Sequence, residues 1–291
     1  MILRMVRAGL QLVAKISPAL AGRLAFELWR RPLMRGKVRE PEQAIHAAAK
    51  VEVIDGVVTY QWGDGTRPVL LVHGWRSRAS RFAAYIERLL ELGYSPISYD
   101  APAHGDSGGG RIASTILDHQ RIIQALAAKY GTFEGVIAHS LGAPFALYAV
   151  REGVAANRLV TVSGVADFGY LTDAFCHELG LGPAANQALR KAIERHYFPG
   201  LDDVWTRFSV RAGDLDLLVI HNDEDDVVDP GQAEVLLTQY GSKARFLQTK
   251  GLGHRRIMID PDVITEAVAF LTAADLSDQN SDVAERLDLG A

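Results

Sequence analysis

The sequence predicts an α/β protein with a mostly parallel central sheet, helices on both faces and a small helical insertion. Three observations lead there. Short continuous apolar runs, such as residues 69–72 and 133–138, alternate with longer segments of helical period from residue 69 to residue 163. Continuous runs belong to strands buried on both faces, which is how parallel sheets are covered. The alternation breaks between residues 165 and 211, where helical stretches follow one another with Gly and Pro between them, and it resumes at Leu215.

Within residues 1–50 two helices are expected. Leu3, Val6, Leu10 and Val13 share one face of the first. Ser17-Pro18 reads as the N-cap and first-turn proline of the second, which runs towards Trp29 and is stopped by Pro32. The main body spans residues 51–274. Residues 51–54 and 57–62, joined by Asp55-Gly56, read as a hairpin at the antiparallel edge of the sheet. Strands at 69–72, 96–99, 133–138 and 159–163 alternate with helices at 81–92, 112–129 and 141–152. Helices at 170–179, 184–197 and 202–208 make up the insertion at 165–211. Strands at 215–220 and 244–248 complete the sheet. A tail covering 275–291, with four acids and one Arg from Ser277 onward, is expected to be disordered.

The residue that carries chemistry is Ser140, in Val136-Ile137-Ala138-His139-Ser140-Leu141-Gly142-Ala143. A buried strand enters a small–x–Ser–x–Gly turn and a helix leaves it, which forces the serine into a tight backbone with its hydroxyl above the sheet. Ala138 and Gly142, two residues before and after, are small enough for strand and helix to pass closely. A serine that N-caps a helix is the plain alternative. A serine hydroxyl needs a base, and the base needs an orienting carboxylate. The strand at 215–220 runs into the acidic loop His221-Asn222-Asp223-Glu224-Asp225-Asp226-Val227-Val228-Asp229-Pro230, and the strand at 244–248 into Gly251-Leu252-Gly253-His254. Each strand end thus delivers one polar group to the side of the sheet where ligands bind.

Taken with two further motifs, the chain resembles the α/β-hydrolase superfamily over about residues 50–274. The four motifs are Val69-Leu70-Leu71-Val72-His73-Gly74-Trp75, Tyr99-Asp100-Ala101-Pro102-Ala103-His104-Gly105-Asp106-Ser107, the Ser140 turn with Ala138 for the usual Gly, and Gly251-Leu252-Gly253-His254-Arg255. In the second, Ala103 replaces a Gly of the family pattern. The resemblance implies an α/β-hydrolase fold whose insertion is a cap. It makes Ser140 the nucleophile, His254 the general base and the backbone amides of Trp75 and Leu141 the oxyanion hole. It aligns Asp225 with the family's acid through Val227-Val228, with Asp226 and Asp223 as alternatives because Pro230 falls one residue late. Under the cap, Trp75, Phe168 and Tyr170 are the expected substrate contacts, with Phe175 and Phe198 as further apolar lining. The implied activity is hydrolysis of a small-molecule carboxylic ester through an acyl-enzyme, with no metal or organic cofactor. A thioesterase, amidase, lipase-like hydrolase or acyltransferase would use the same residues. A hydrolase-fold binding protein without catalysis, or a membrane-surface protein working through its N-terminal helices, are readings of other classes.

The other histidines receive no chemical role. His139 reads as packing, His73 as a turn residue, His104 as a buttress of its loop and His221 as bonded within its loop, while His46, His119, His177 and His196 lie in helices. No zinc spacing occurs, and the run at 223–226 lacks the Gly and distal Glu of a calcium loop.

Composition is that of a globular protein, 48% hydrophobic and 23% charged over 291 residues. A net charge of −4 argues against nucleic acid as a partner, and the lone Cys176 leaves no disulfide framework and suits a reducing, cytoplasmic setting. The charge is uneven. Residues 1–39 hold nine basic residues against Glu27, a net of +8 that leaves −12 for the remainder. Three readings follow for this segment: helices packed on the body or on a second subunit of a homodimer, a basic helix on an anionic membrane surface, or a signal peptide with Ala19-Leu20-Ala21 at its cleavage site. Lys15 interrupts the apolar stretch the last would need.

Overall fold

The computed structural model describes residues 2–31, 35–109 and 114–273. Eight strands form one sheet: β1 (Lys50–Ile54), β2 (Val57–Gln61), β3 (Pro68–Val72), β4 (Ser95–Tyr99), β5 (Gly135–His139), β6 (Arg158–Val162), β7 (Asp216–Asn222) and β8 (Ala244–Thr249). Their order is β1-β2-β4-β3-β5-β6-β7-β8. β2 runs antiparallel to both neighbours, and every other pairing is parallel. The hairpin turn at Asp55 and Gly56 takes φ of 50° and 78°, the left-handed pair a two-residue turn requires.

The strand runs that read as continuously apolar are buried on both faces, and alternate residues divide between two cores. Leu70, Val72, Ile97, Val136, Ala138, Leu159, Leu217 and Val219 face one core. It is closed by α5 (Ile116–Tyr130), α6 (Gly142–Arg151) and α10 (Gly231–Tyr240). Val69, Leu71, Ile137, Val160, Val162, Leu218 and Ile220 face the other, under α4 (Ala83–Glu91) and α12 (Pro261–Thr272). This is the period-two consequence of a pleated strand covered on both sides. Because β4 lies to one side of β3 and β5 to the other, the chain reverses its winding there. The carboxyl ends of β3 and β5 therefore open a crevice between them.

The insertion forms α7 (Phe168–Leu179), α8 (Pro183–Tyr197) and α9 (Val204–Phe208), close to the expected bounds. The N-terminal α1 (Ile2–Ile16) and α2 (Pro18–Trp29) pack on that insertion. Ser17 caps α2, its Oγ accepting from the Leu20 amide at 3.3 Å, with Pro18 in the first turn. A Cβ on Gly22 would stand 2.5 Å from the Ala185 carbonyl oxygen, so the glycine sets how closely α2 lies on α8. The Gln11 amide donates to the Leu179 carbonyl at the end of α7. Leu10, Ala25 and Phe26 thereby join Cys176, Leu189, Ile193, Phe198 and Phe208 in a third core. Two short helices complete the fold, α3 (Gln43–Ala47) and α11 (Gly253–Arg256).

Several expectations shift. The helix foreseen from residue 112 begins at Ile116, because Thr115 and Asp118 form a reciprocal capping box there; residues 110–113 lie outside those described. His254, expected on a loop, sits in the single turn of α11. The proposed stop at Pro32, the Leu3 side chain and the tail at 275–291 lie outside the described residues.

Candidate active site

Ser140 directly follows β5 and has φ of 56°, the left-handed region that a residue with a Cβ occupies at a cost of about 1–2 kcal/mol. Its neighbours hold it there. The Ser140 amide donates to the Val162 carbonyl at 3.0 Å, and its carbonyl accepts from Ala143 and Val165. A Cβ on Gly142 would lie 2.3 Å from the Val72 carbonyl oxygen, and one on Gly74 would lie 2.8 Å from the Ser140 Cβ. Both glycines are therefore conditions for β3, β5 and α6 meeting this closely.

His254 Nε2 stands 3.1 Å from Ser140 Oγ, and its Nδ1 stands 2.9 Å from Asp225 Oδ2. Asp225 follows β7 in a turn that it closes itself, Oδ1 accepting from the amides of Val227 and Val228 at 2.9 Å each. Burial works against ionising this carboxyl, but the His254 hydrogen bond and the two amides outweigh it and bring its pKa down to about 2. As a carboxylate, Asp225 accepts a hydrogen bond from His254 Nδ1–H and holds the proton on that nitrogen, which leaves Nε2 as a lone-pair acceptor facing the serine hydroxyl. The alternative acids lie elsewhere: Asp226 is exposed, and Asp223 is 3.6 Å from Lys250. The sequence motifs thus converge, with Ser140, His254 and Asp225 in one hydrogen-bonded line.

Other groups brace this line. His139, read from sequence as packing, lies with its ring 4.8 Å from the His254 ring, and its Nε2–H donates to the His254 carbonyl at 3.2 Å. Burial and the nearby His254 push its pKa down to about 3, so it stays neutral. His221 donates from Nε2 to the Val228 carbonyl at 3.0 Å, within its own loop as expected. His73 donates from Nδ1 to the Gly74 carbonyl and accepts from the Ala101 amide, tying the end of β3 to the loop after β4. Buried Asp100 accepts from the Ala79 and Asp106 amides and the Tyr60 hydroxyl, with Arg78 at 3.2 Å. In that same loop Ala103 holds φ of 64°, so the chain keeps a glycine-like turn where it lacks the glycine.

The amides of Trp75 and Leu141 donate to no backbone or side-chain group among the described residues. A Cβ on Gly74 would stand 3.2 Å from the Leu141 nitrogen, which places both amides at the Ser140 turn. Beside them a small cleft, with about 10 Å³ of enclosed space, lies between Trp75, His104, His119, Leu141 and Phe145. His104 donates from Nδ1 to the Pro102 carbonyl, and burial lowers its pKa to about 4. Among the described residues no cluster of His, Cys, Asp and Glu is arranged to hold a metal.

Two of the expected lining residues do not border this cleft. Phe168 is buried against Phe198, Trp205 and Phe208 inside the insertion and does not border the cleft, because the third core needs its ring to fill the space between α7 and α9. Tyr170 reaches the acid loop, where its hydroxyl accepts from the Asp229 amide at 2.9 Å. Of the further two, Phe175 packs edge-on against Trp29 of α2, and Phe198 is buried in the same core as Phe168. Phe145 and His119 also border the cleft, a role that helical periodicity does not reveal, since it marks them only as inward-facing.

Residues 69–268 match the model of a family described as the alpha/beta hydrolase family. Among solved structures, a monoacylglycerol lipase from Paleococcus ferrophilus is 18% identical with a TM-score of 0.56, covering 74% of this chain and 96% of its own. An esterase from Exiguobacterium antarcticum is 18% identical with a TM-score of 0.57, covering 77% of this chain and 98% of its own. A hydrolase from Agrobacterium vitis, described as putative, is 17% identical with a TM-score of 0.59, covering 77% and 97%. At such identities the likeness is one of fold. No curated protein matches the sequence closely enough to compare.

Proposed function

This chain belongs to the alpha/beta hydrolase family, and from that premise we propose that it hydrolyses small carboxylic esters through Ser140, His254 and Asp225. The observation that carries this reading is the unbroken line from Ser140 Oγ through His254 to Asp225, at 3.1 and 2.9 Å. As Oγ attacks the ester carbonyl, His254 Nε2 takes its proton, and the Asp225 carboxylate stabilises the imidazolium. The carbonyl oxygen gains negative charge, for which the amides of Trp75 and Leu141 are the available donors. His254 then protonates the departing alcohol. Water, deprotonated in turn by Nε2, attacks the acyl-serine and releases the carboxylic acid and the serine. No step calls for a cofactor or a metal.

The enclosed space of the cleft, about 10 Å³, is well below the roughly 300–1,000 Å³ of drug-sized ligand sites, which favours a short acyl or alcohol group. Two of the similar structures are described as an esterase and a monoacylglycerol lipase, so ester cleavage is a chemistry this fold supports. The test is fluorophosphonate labelling followed by peptide mass spectrometry, with a series of p-nitrophenyl esters. The adduct should fall on the peptide containing Ser140 and vanish in Ser140→Ala, and acetate and butyrate esters should turn over faster than long-chain ones. Stoichiometric labelling that persists in Ser140→Ala ends the proposal.

A further inference from the structure

The apolar stripe expected on α1 is not its only one. Leu10 is buried, and Val6 and Val13 pack against the same core, so that stripe is spent on the body of the protein. On the far side of the helix Met5, Leu12 and Ile16 are 67%, 62% and 82% exposed. Their spacing of seven and four residues puts them on one face. Two residues of α2, Leu20 and Leu24, four apart, are exposed likewise, while Ala21, Gly22, Ala25 and Phe26 face inward. Ile16 and Leu20 flank Ser17, so the exposed apolar residues continue from one helix to the next. Five of the twelve large hydrophobic residues most open to solvent among those described fall on these two helices. Singly exposed apolar residues are ordinary, but a row of them is not.

The charges beside the row indicate what covers it. Arg4, Arg7, Lys15 and Arg23 are exposed on the same two helices, and Glu27 is the only acid on either. On a helical wheel Arg4 and Lys15 border the Met5–Leu12–Ile16 face, and Arg23 borders Leu20 and Leu24. A second copy docked through this face about a two-fold axis would set these cations against their own counterparts, since such an interface presents the same patch from both sides. An anionic lipid surface meets both demands together: acyl chains take the apolar row and headgroups take the Arg and Lys side chains.

We propose that the outer face of α1 and α2 is a peripheral docking surface for anionic membranes. It lies flat on the lipid, since no helix among the described residues is long and apolar enough to cross a membrane. Because α2 is seated on α8 and α1 on α7, docking brings the insertion next to the bilayer. The proposal stands apart from the catalytic reading, and its readout does not involve turnover.

The test is co-sedimentation of the full chain with vesicles of phosphatidylcholine alone and of phosphatidylcholine mixed with phosphatidylglycerol. The chain should pellet with the mixed vesicles and stay in solution with the neutral ones. Salt at about 1 M, where the screening length shrinks to about 3 Å, should release it. Lys15→Gln with Arg23→Gln should weaken binding about 25-fold, at about fivefold per cation. Leu12→Gln with Ile16→Gln should weaken it at least about tenfold by removing buried apolar area. These side chains project into solvent, so melting temperature should not change; if the apolar pair fails to fold, the charge pair carries the same readout. The proposal is overturned if the chain ignores anionic vesicles, or binds neutral and anionic ones equally. It is also overturned if light scattering shows a dimer that Leu12→Gln with Ile16→Gln converts to a monomer.

Discussion

The His139 imidazole lies 4.8 Å from that of His254 and donates a proton from Nε2 to the His254 main-chain carbonyl at 3.2 Å. A residue adjacent to Ser140 in sequence thereby holds the backbone of a residue 115 positions later. In the proposed mechanism His139 would act through His254, as a positioning residue.

Replacing His139 by Phe keeps a ring against His254 and removes the hydrogen bond. One such bond is worth about 1 kcal/mol, so kcat should fall roughly fivefold to tenfold with KM nearly unchanged. Steady-state kinetics on a soluble ester measure this. An unchanged kcat would mean that ring packing alone sets the His254 backbone.

Asp225→Asn removes the charge partner of the imidazolium and disfavours the tautomer with its proton on Nδ1. The expected loss is about 10⁴-fold in kcat. Asp226→Asn, on an exposed side chain, should stay within about threefold of the parent. If Asp226→Asn is the inactive variant instead, the roles assigned to the loop are wrong.

Gly142→Ala places a methyl group where the Val72 carbonyl oxygen already stands, at 2.3 Å. Backbone cannot rotate aside as a side chain can, so α6 or β3 must shift. Urea unfolding should show a loss of about 1–3 kcal/mol or more. Ester turnover should fall as well, because the same shift moves Ser140. A variant of full stability and activity would contradict the close approach of α6 to β3.

Acid should weaken the fold well before carboxylates titrate. His104 and His139 have folded pKa values of about 4 and about 3, against about 6.5 for an unperturbed histidine. Below about pH 6.5 the unfolded chain takes up protons that the folded chain refuses, so stability falls as pH falls. The loss reaches about 1.4 kcal/mol per pH unit for each histidine, ending near pH 4 for His104 and pH 3 for His139. Asp225, held at about 2, adds a further loss only below the ordinary carboxylate range. Urea midpoints at pH 7 and pH 5 measure the slope, and His104→Gln should make it shallower. Equal midpoints at the two pH values would refute the neutral burial of these rings.

Much of this was legible where neighbouring residues settle the matter by local sterics. Asp55-Gly56 turns a hairpin because two left-handed residues in a row require it, and Ser17-Pro18 opens α2 because a hydroxyl can take an orphan amide. Ala138, Ser140 and Gly142 foretold the strained turn for the same reason, since only small flanking residues let β3, β5 and α6 converge. Apolar runs disclosed the doubly covered strands but not their order, which places β4 and β5 on opposite sides of β3.

What the tertiary structure alone decided were contacts between groups far apart in the chain. Val227-Val228 already favoured Asp225 over Asp226 and Asp223, but how it reaches His254 was not legible: its own turn onto two amides aims Oδ2 across to α11. Phe168 and Trp75 were alike expected as substrate contacts, yet Phe168 fills the third core while Trp75 borders the cleft. On α1 two apolar stripes were available, and packing against the insertion buried one and left the other to solvent. Periodicity reports that a face is apolar, whereas which face finds a partner depends on where the whole chain has placed the surfaces that can receive it.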